Sequence, residues 1–394
     1  MECIIVIERT SIVTNYTSVT GMTNVKLPMF YTFPVIRGIQ AGREYYVSMC
    51  PLRLVPRLLV FDEEDLEPNL RSQRVLNKAR IPVLAKYMID NPNGYVFSAI
   101  TVSIDGDVEF HPISDDLNYY NLGTIRVPMD AKFIVNDGQH RRAGIEAALK
   151  ERPELGNETI AIVFFIDRGL KRCQQMFADL NRHAVRPTES LNILYDHRDP
   201  IAEIARSLTH QVPVFEGLTE LERSTISNRS TKLFTLSGIY RATCELLTAI
   251  GDEEDLEDQH KLAYNYWNTI SRYLREWNLA KEGRVRASEL RRDYINVHTI
   301  ALVALGRLGA SLVQQHPDEW TNMICRIGSV DWHRSNPRWE GRVTIGGRIS
   351  YSRNNLVLLT NELKHIMGVE LSNEELEAEA AHKKGLSIAG RISH

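Results

Sequence analysis

Residues 133–149 read FIVNDGQHRRAGIEAAL. Phe133, Ile134 and Val135 are an apolar, partly β-branched run, whereas Ala143, Gly144, Ala147 and Ala148 make a small-residue helix suited to close packing on a sheet. The stretch therefore predicts a strand over 132–136, a turn, and a helix over 139–151. A helix starting just after Gly138 points free backbone N–H groups and the positive end of its dipole at the turn, and Gly138 permits a conformation closed to other residues. Arg141 and Arg142 add guanidinium groups able to grip phosphate oxygens in pairs. Together these parts make an anion site. Asp137 can orient an arginine, hold a metal or act as a general base. A plainer reading uses Asp137 as a helix cap, Gly138 as a turn residue and the arginines as a solvated face; residue types alone do not separate the two.

Outward from this stretch, residues 45–49 (YYVSM) and 57–61 (RLLVF) read as strands, and residues 71–88 as a helix interrupted near Pro82. FSAITVSI (97–104) reads as a strand closed by a hairpin turn at Asp105-Gly106. TIAIVFFID (159–167) is a further strand, so strand 132–136, helix 139–151 and strand 159–167 follow in βαβ-like order. Cys173, Met176, Phe177 and Leu180 then fall on one face of a helix over 171–184. Asp199-Pro200 caps another helix to about Leu208, and the rest is mainly helical, over 231–249, 259–278, 287–313 and 354–366. Ser372-Asn373-Glu374-Glu375 is a capping-box pattern. The fold class is α/β of the α+β kind. Its expected parts are a Thr- and Ser-rich leader over 1–28, a mixed-sheet domain over 29–198 and a mainly helical region over 199–394.

The five cysteines, Cys3, Cys50, Cys173, Cys244 and Cys325, are dispersed without a C-x-x-C pair, which suggests neither a disulfide framework nor a zinc site and fits a reducing cytoplasm. The N-terminus does not resemble a secretory signal, and the apolar stretch 300–313 is too short to span a bilayer and is broken by Arg307. A formal net charge of −3 argues against whole-molecule attraction to polyanions, so nucleic-acid contact must come from local patches. One such patch is HRSNPRWEGRVTIGGRISYSR (333–353), with Arg334, Arg338, Arg342, Arg348 and Arg353 against the single acid Glu340, Trp339 and Tyr351 interleaved, and glycines that let a loop follow a phosphate backbone. Arg284, Arg286, Arg291 and Arg292 form a second set, and Arg74 and Arg80 belong to a third, in the helix before strand 97–104. Asn181-Arg182-His183 closes the helix over 171–184, where arginine and histidine meet exposed carbonyls.

The run DGQHR within FIVNDGQHRRAGI, the upstream FPVIRGIQAGREYY (33–46) and the downstream FADLNRHAVRP (177–187) resemble the DGQHR-domain proteins, and among them the DndB family encoded beside the bacterial DNA phosphorothioation enzymes. The resemblance is specific over residues 33–199 and looser through SNRSTKLFTLS (227–237) to the C-terminus. More distantly, the block order is similar to the ParB/sulfiredoxin-like fold, whose members bind nucleotide phosphates at the second block. That likeness implies a phosphate or nucleotide site built from Asp137, Gly138, Gln139, His140, Arg141, Arg142, Asn181 and Arg182. Gln139 stands where sulfiredoxins have their catalytic cysteine, and glutamine supplies no thiolate nucleophile. The resemblance implies a cytoplasmic, DNA-associated regulator that represses the modification operon, with double-stranded DNA, other proteins of the system and a second copy of the chain as partners, and no membrane. ATP or another nucleotide is the candidate ligand. The competing expectation is an enzyme, a nucleotide hydrolase or DNA nickase using Asp137 with Mg²⁺, for which Asp167 and Asp179 are the available companion carboxylates. No P-loop motif is present, and His140, His183, His197 and His210 lack tight metal-ligand spacing.

Overall fold

A computed structural model describes residues 6–9, 29–59, 76–167, 170–182, 186–250 and 255–392. The architecture is mixed α/β, and the chain divides into two compact units, Met1–Val185 and Arg186–His394.

The first unit contains β1 (Val6–Arg9), β2 (Met29–Gln40), β3 (Arg43–Pro51), α1 (Val55–Leu58), α2 (Arg80–Asp90), β4 (Ile100–Asp105), β5 (Glu109–Pro112), β6 (Leu122–Pro128), β7 (Lys132–Asp137), α3 (Gln139–Glu151), β8 (Thr159–Ile166) and α4 (Leu170–Arg182). The strands join in the order β5-β6-β2-β3-β8-β4-β7, with β1 on β2. β4 and β8 run parallel and the other pairs are antiparallel. β4 is buried on both faces, with Ile100, Val102, Ile104 and Ser103 all inaccessible. Val102, Ile104, Val135, Ile145, Ala148 and Phe164 share one apolar core, in which alternate strand residues meet the inner stripe of α3.

Three sequence expectations change here. Residues 57–59 of RLLVF are not strand: Val55–Leu58 is a helical turn, because Pro56 presets the first-turn φ while Val55 and Leu59 are buried, and residues 60–61 lie outside the described residues. Asp105-Gly106 does not close a hairpin, since both edges of β4 are taken by β7 and β8, and β5 pairs with β6 instead. The βαβ-like order is not a parallel crossover either: β4 lies between β7 and β8, and β7 runs against both. α2 starts at Arg80, with Pro82 in the first turn where its missing N–H costs nothing; residues 71–75 lie outside the described residues.

The second unit is helical: α5 (Glu189–Tyr195), α6 (Pro200–Gln211), β9 (Thr219–Glu220), β10 (Phe234–Thr235), α7 (Leu236–Leu247), α8 (Leu256–Tyr273), α9 (Arg275–Lys281), α10 (Ala287–Asp293), α11 (Thr299–Gln315), α12 (Trp320–Met323), β11 (Thr344–Ile345), β12 (Arg348–Ile349), α13 (Arg353–Met367) and α14 (Asn373–Ile392). α11 is the core helix, buried continuously from Ile300 to Gly306, as expected of a helix apolar on all sides. The expected caps form: Asp199 Oδ1 accepts from the N–H groups of Ile201 at 2.8 Å and Ala202 at 3.2 Å. Ser372 and Glu375 bond each other's backbone N–H reciprocally.

Two long helices read from the sequence are each broken in two. The one expected over 259–278 divides at Leu274 into α8 and α9. The one expected over 287–313 is interrupted between α10 and α11, where Ile295 N–H donates to the Trp332 carbonyl at 3.0 Å, Tyr294 bridges His333, and the Trp277 indole donates to the Asn296 carbonyl at 3.2 Å. These non-local partners outcompete helix continuation. No described helix is long and apolar enough to cross a membrane.

Candidate functional site

The DGQHR turn is built as its residue types require. Asp137 ends β7 opposite Thr101 of β4, and Gly138, at φ +106°, is the N-cap of α3. A Cβ on Gly138 would also sit 3.0 Å from Ile100 Cγ1, so both conformation and space select glycine. Asp137 does not cap the helix. Its carboxylate accepts instead from Arg141 Nη2 at 2.5 Å, one helical turn on. Arg141 also donates through Nη1 to the Ser98 carbonyl at 3.0 Å and to the Ser98 hydroxyl. The guanidinium thus braces the end of β7 against residue 98 and is only 14% exposed. His140 Nε2 accepts from the Asn77 N–H at 3.1 Å, which leaves the ring proton of neutral imidazole on Nδ1. Gln139 is buried beneath the turn, with Nε2 donating to the Val135 carbonyl at 3.5 Å.

Above this turn lies a cleft of about 330 Å³, walled by Asp137–Arg141, by Val96–Ser98 and by Arg80 and Leu84 of α2. Arg80, assigned from sequence to a DNA-facing helix, is therefore brought to the phosphate candidate. Arg142 is not: it turns away, donating to the Pro56 carbonyl at 3.2 Å and pairing with Glu146 at 3.0 Å. Its expected phosphate contact is replaced by a tie between α1 and α3. Asn181 and Arg182 end α4, and their side chains, together with Arg74 and His183, fall outside the described residues. α4 meets the sheet where Met176 Sδ accepts from Asn136 Nδ2 at 3.0 Å, on the face opposite the one toward which neighbouring Asp137 projects.

The carboxylates expected to accompany Asp137 in metal chemistry do not converge on it. Asp137 lies opposite Thr101 and Asp167 follows the partner of Ile104, so about 13 Å of strand separates them. Asp167 is buried between Arg43, at 3.0 Å, and Arg172, and burial pushes its carboxyl upward against the pull of Arg43. Asp179 accepts from Gln175 at 2.8 Å. Among the described residues no three His, Cys, Asp or Glu side chains are grouped to hold a metal ion.

The arginine-rich segments of the second unit separate into structural and exposed members. Arg291 donates to the carbonyls of Ser227, Ser230 and Asn228 at 3.0, 3.1 and 3.4 Å and to that of Lys232, so it clamps the 227–232 loop. Arg334 bonds the Arg291 carbonyl at 3.1 Å. Arg342 is inside: it grips Glu379 through two bonds of 2.6 and 2.9 Å, reaches the Leu358 carbonyl at 3.1 Å, and lies 3.4 Å from Glu362. This corrects the reading of Arg342 and Arg291 as free phosphate ligands. Trp339 is likewise not a stacking platform but a core residue, stacked on Trp332 at 5.7 Å between ring centroids. Arg284, Arg286, Arg292, Arg338, Arg348 and Arg353 are exposed. Of these, Arg284 pairs with Glu282 at 3.3 Å, Arg292 with Asp293 at 2.7 Å and Arg338 with Glu362 at 3.4 Å. Arg348 stands beside a two-residue turn, Gly346-Gly347, both at positive φ, that joins β11 to β12. Glu340 fastens the hairpin, accepting from the Gly346 N–H at 2.6 Å and the Thr344 hydroxyl at 2.9 Å.

A model of the DndB family, described as DNA-sulfur modification-associated, matches residues 33–370. The chain belongs to the DndB family. Searches of curated proteins and of solved structures return no significant match. The DndB match runs from Phe33 in β2 to Glu370 beyond α13, so it covers the DGQHR cleft, the clamped 227–232 loop and the β11–β12 hairpin together. Sequence reasoning missed Ser98 and Asn77 as supports of the turn, because neither carries a spacing signal and only the pairing of β4 with β7 brings residue 98 to Arg141. It also missed the Arg43-Asp167-Arg172 ion group, although Arg43 lies within the upstream FPVIRGIQAGREYY block.

Proposed function

We propose that this chain serves the DNA-sulfur modification system as a DNA-binding regulator that represses the modification operon, meeting phosphates through the β11–β12 hairpin and the start of α13. The observation that carries the reading is the placement of Arg348 and Arg353. Arg353 is the first residue of α13, where a cation opposes the helix dipole, and both side chains are exposed without an ion pair among the described residues. Charge so placed costs stability in the free protein and is compensated by an external anion such as a DNA phosphate. A symmetric operator would engage two copies of the chain. The DGQHR cleft, with Arg80 and the positive end of the α3 dipole, suits a smaller phosphate-bearing group, while Arg141 holds its wall.

The test is a gel-shift titration of the chain's own upstream DNA at two salt concentrations. The double variant Arg348→Ala, Arg353→Ala should bind more weakly, and its log–log salt slope should fall by about 0.9 for each phosphate that the variant no longer neutralises. Unchanged affinity and slope in the folded variant would refute the surface.

A further inference from the structure

Between β5 and β6 the first unit carries a loop that displays its apolar residues instead of burying them. Ile113, Leu117, Tyr119 and Tyr120 are all exposed, Leu117 to 83%. Single exposed hydrophobics are ordinary on a protein surface, but four within residues 113–120 form a patch of the kind that marks a protein contact. Polar groups hold the loop in shape. Ile113 N–H donates to the Leu122 carbonyl, Tyr119 N–H to the Asp116 carbonyl and Arg37 Nη2 to the Tyr120 carbonyl, each at 2.9 Å, while Asp116 Oδ1 accepts from the Asn118 N–H at 2.9 Å. Its conformation is thus set before any partner arrives, which lowers the entropy lost on binding. Asp115 and Asp116 are its charged residues, and without a lysine or arginine it is no ligand for DNA phosphates.

The same unit holds a cleft that suits this loop, about 660 Å³ in volume, between the β2–β3 turn, Phe165 of β8 and α4. Its apolar lining of Phe165, Met176 and Leu180 is open to solvent, partly for the first two and widely for Leu180. Arg43 and Arg172 at its mouth are nearly half exposed; buried Asp167 takes Nη1 of the first and Nε of the second, which leaves their other N–H groups as donors. The lining acid, Asp179, is occupied by Gln175. Loop and cleft open at the same end of the sheet. Arg37 N–H donates to the Asn121 carbonyl at 2.7 Å, and three residues on along β2 Gln40 pairs with Arg43 at the cleft. Laterally β6 and β8 are three strand spacings apart, about 14 Å.

We infer that a second copy of the chain fills the cleft: around a two-fold axis at this end of the sheet, Leu117 and the tyrosines of each copy enter the cleft of the other, and Asp115 meets the donors of Arg43 and Arg172. A contact in which one surface patch supplies both halves is the isologous arrangement of a closed dimer, and it covers the apolar loop and the apolar cleft together. The inference is independent of the DNA surface and of the DGQHR cleft.

Analytical ultracentrifugation of the full chain tests it. The parent should form a reversible dimer at micromolar concentrations. Leu117→Asp and Leu180→Asp, both at exposed positions, should each raise the dissociation constant at least tenfold with an unchanged circular dichroism spectrum. A mixture of Leu117→Cys and Leu180→Cys chains, one of them isotopically labelled, should on mild oxidation give a disulfide-linked peptide joining position 117 of one chain to position 180 of the other. A parent that stays monomeric overturns the inference. A dimer indifferent to Leu117→Asp is held by another face and overturns it too. Dissociation by Leu117→Asp but not by Leu180→Asp sends the loop to a different surface, and a dimer that yields no 117–180 link does the same; either result refutes the cleft as its seat.

Discussion

At the scale of single residues, an arginine's place in a motif says less than what its guanidinium touches. Arg141 and Arg342 both read as phosphate ligands in the sequence, yet one braces Asp137 against Ser98 and the other is enclosed by Glu379 and Glu362. Removing Arg342 takes from half-buried Glu379 its two-bond partner and leaves Glu362 with the exposed Arg338, so Arg342→Ala should lower unfolding free energy by about 2 kcal/mol. Arg348→Ala, at an exposed hairpin, should change it by less than about 0.5 kcal/mol. Urea denaturation followed by tryptophan fluorescence separates the two. His298 makes a pH prediction. Its pKa is pushed down to about 4, chiefly by burial, from an ordinary 6.5. Above about pH 6.5 neither state takes the proton; between pH 6.5 and 4 the unfolded chain takes it and the folded chain refuses it. Stability should therefore fall as pH drops through that window, by about 3 kcal/mol in total. His298→Gln should remove this component, and a variant with the same acid limb as the parent would contradict it.

At the scale of elements, helix pairing in the second unit depends on backbone approach. A Cβ at Gly306 of α11 would lie 2.1 Å from the Ala242 carbonyl oxygen of α7, so the helices are in contact through their main chains there. Gly306→Ala, ordinarily favourable in a helix, should instead destabilise by about 2 kcal/mol, read as a drop in the urea midpoint. Local signals served well where a side chain serves its own backbone. The Asp199 cap, the Ser372/Glu375 box and the helix over 139–151 were all legible. They failed where distant segments compete for the backbone, as Trp332 and His333 do for residues 294–295, turning one expected helix into α10, a break and α11.

At the scale of the whole molecule, the apolar cores of the two units share no residue, and all five tryptophans, Trp267, Trp277, Trp320, Trp332 and Trp339, belong to the second. Tryptophan fluorescence thus reports the helical unit alone, whereas circular dichroism reports both. Phe164→Ala, in the core of the sheet unit, should cost that unit about 3–5 kcal/mol and shift the circular dichroism transition, leaving the tryptophan transition in place. Equal shifts in both signals would show one cooperative fold. Membership of the DndB family places the chain in DNA sulfur modification, and the family match spans both units. The regulatory and ligand-binding roles proposed here assign each unit a phosphate-handling surface of its own.

The sequence by itself determined the strand-turn-helix around DGQHR, the helical second half, the cap positions and the family, because these follow from local periodicity, backbone preference and residue order. Tertiary structure alone decided that β4 separates β7 from β8, that Arg80 joins the DGQHR cleft while Arg142 leaves it, and which arginines face solvent. Those outcomes depend on partners far apart in the chain, such as Ser98 for Arg141, Glu379 for Arg342 and Trp332 for Ile295, and a buried carbonyl or carboxylate that must be satisfied leaves no periodic trace in the sequence that satisfies it.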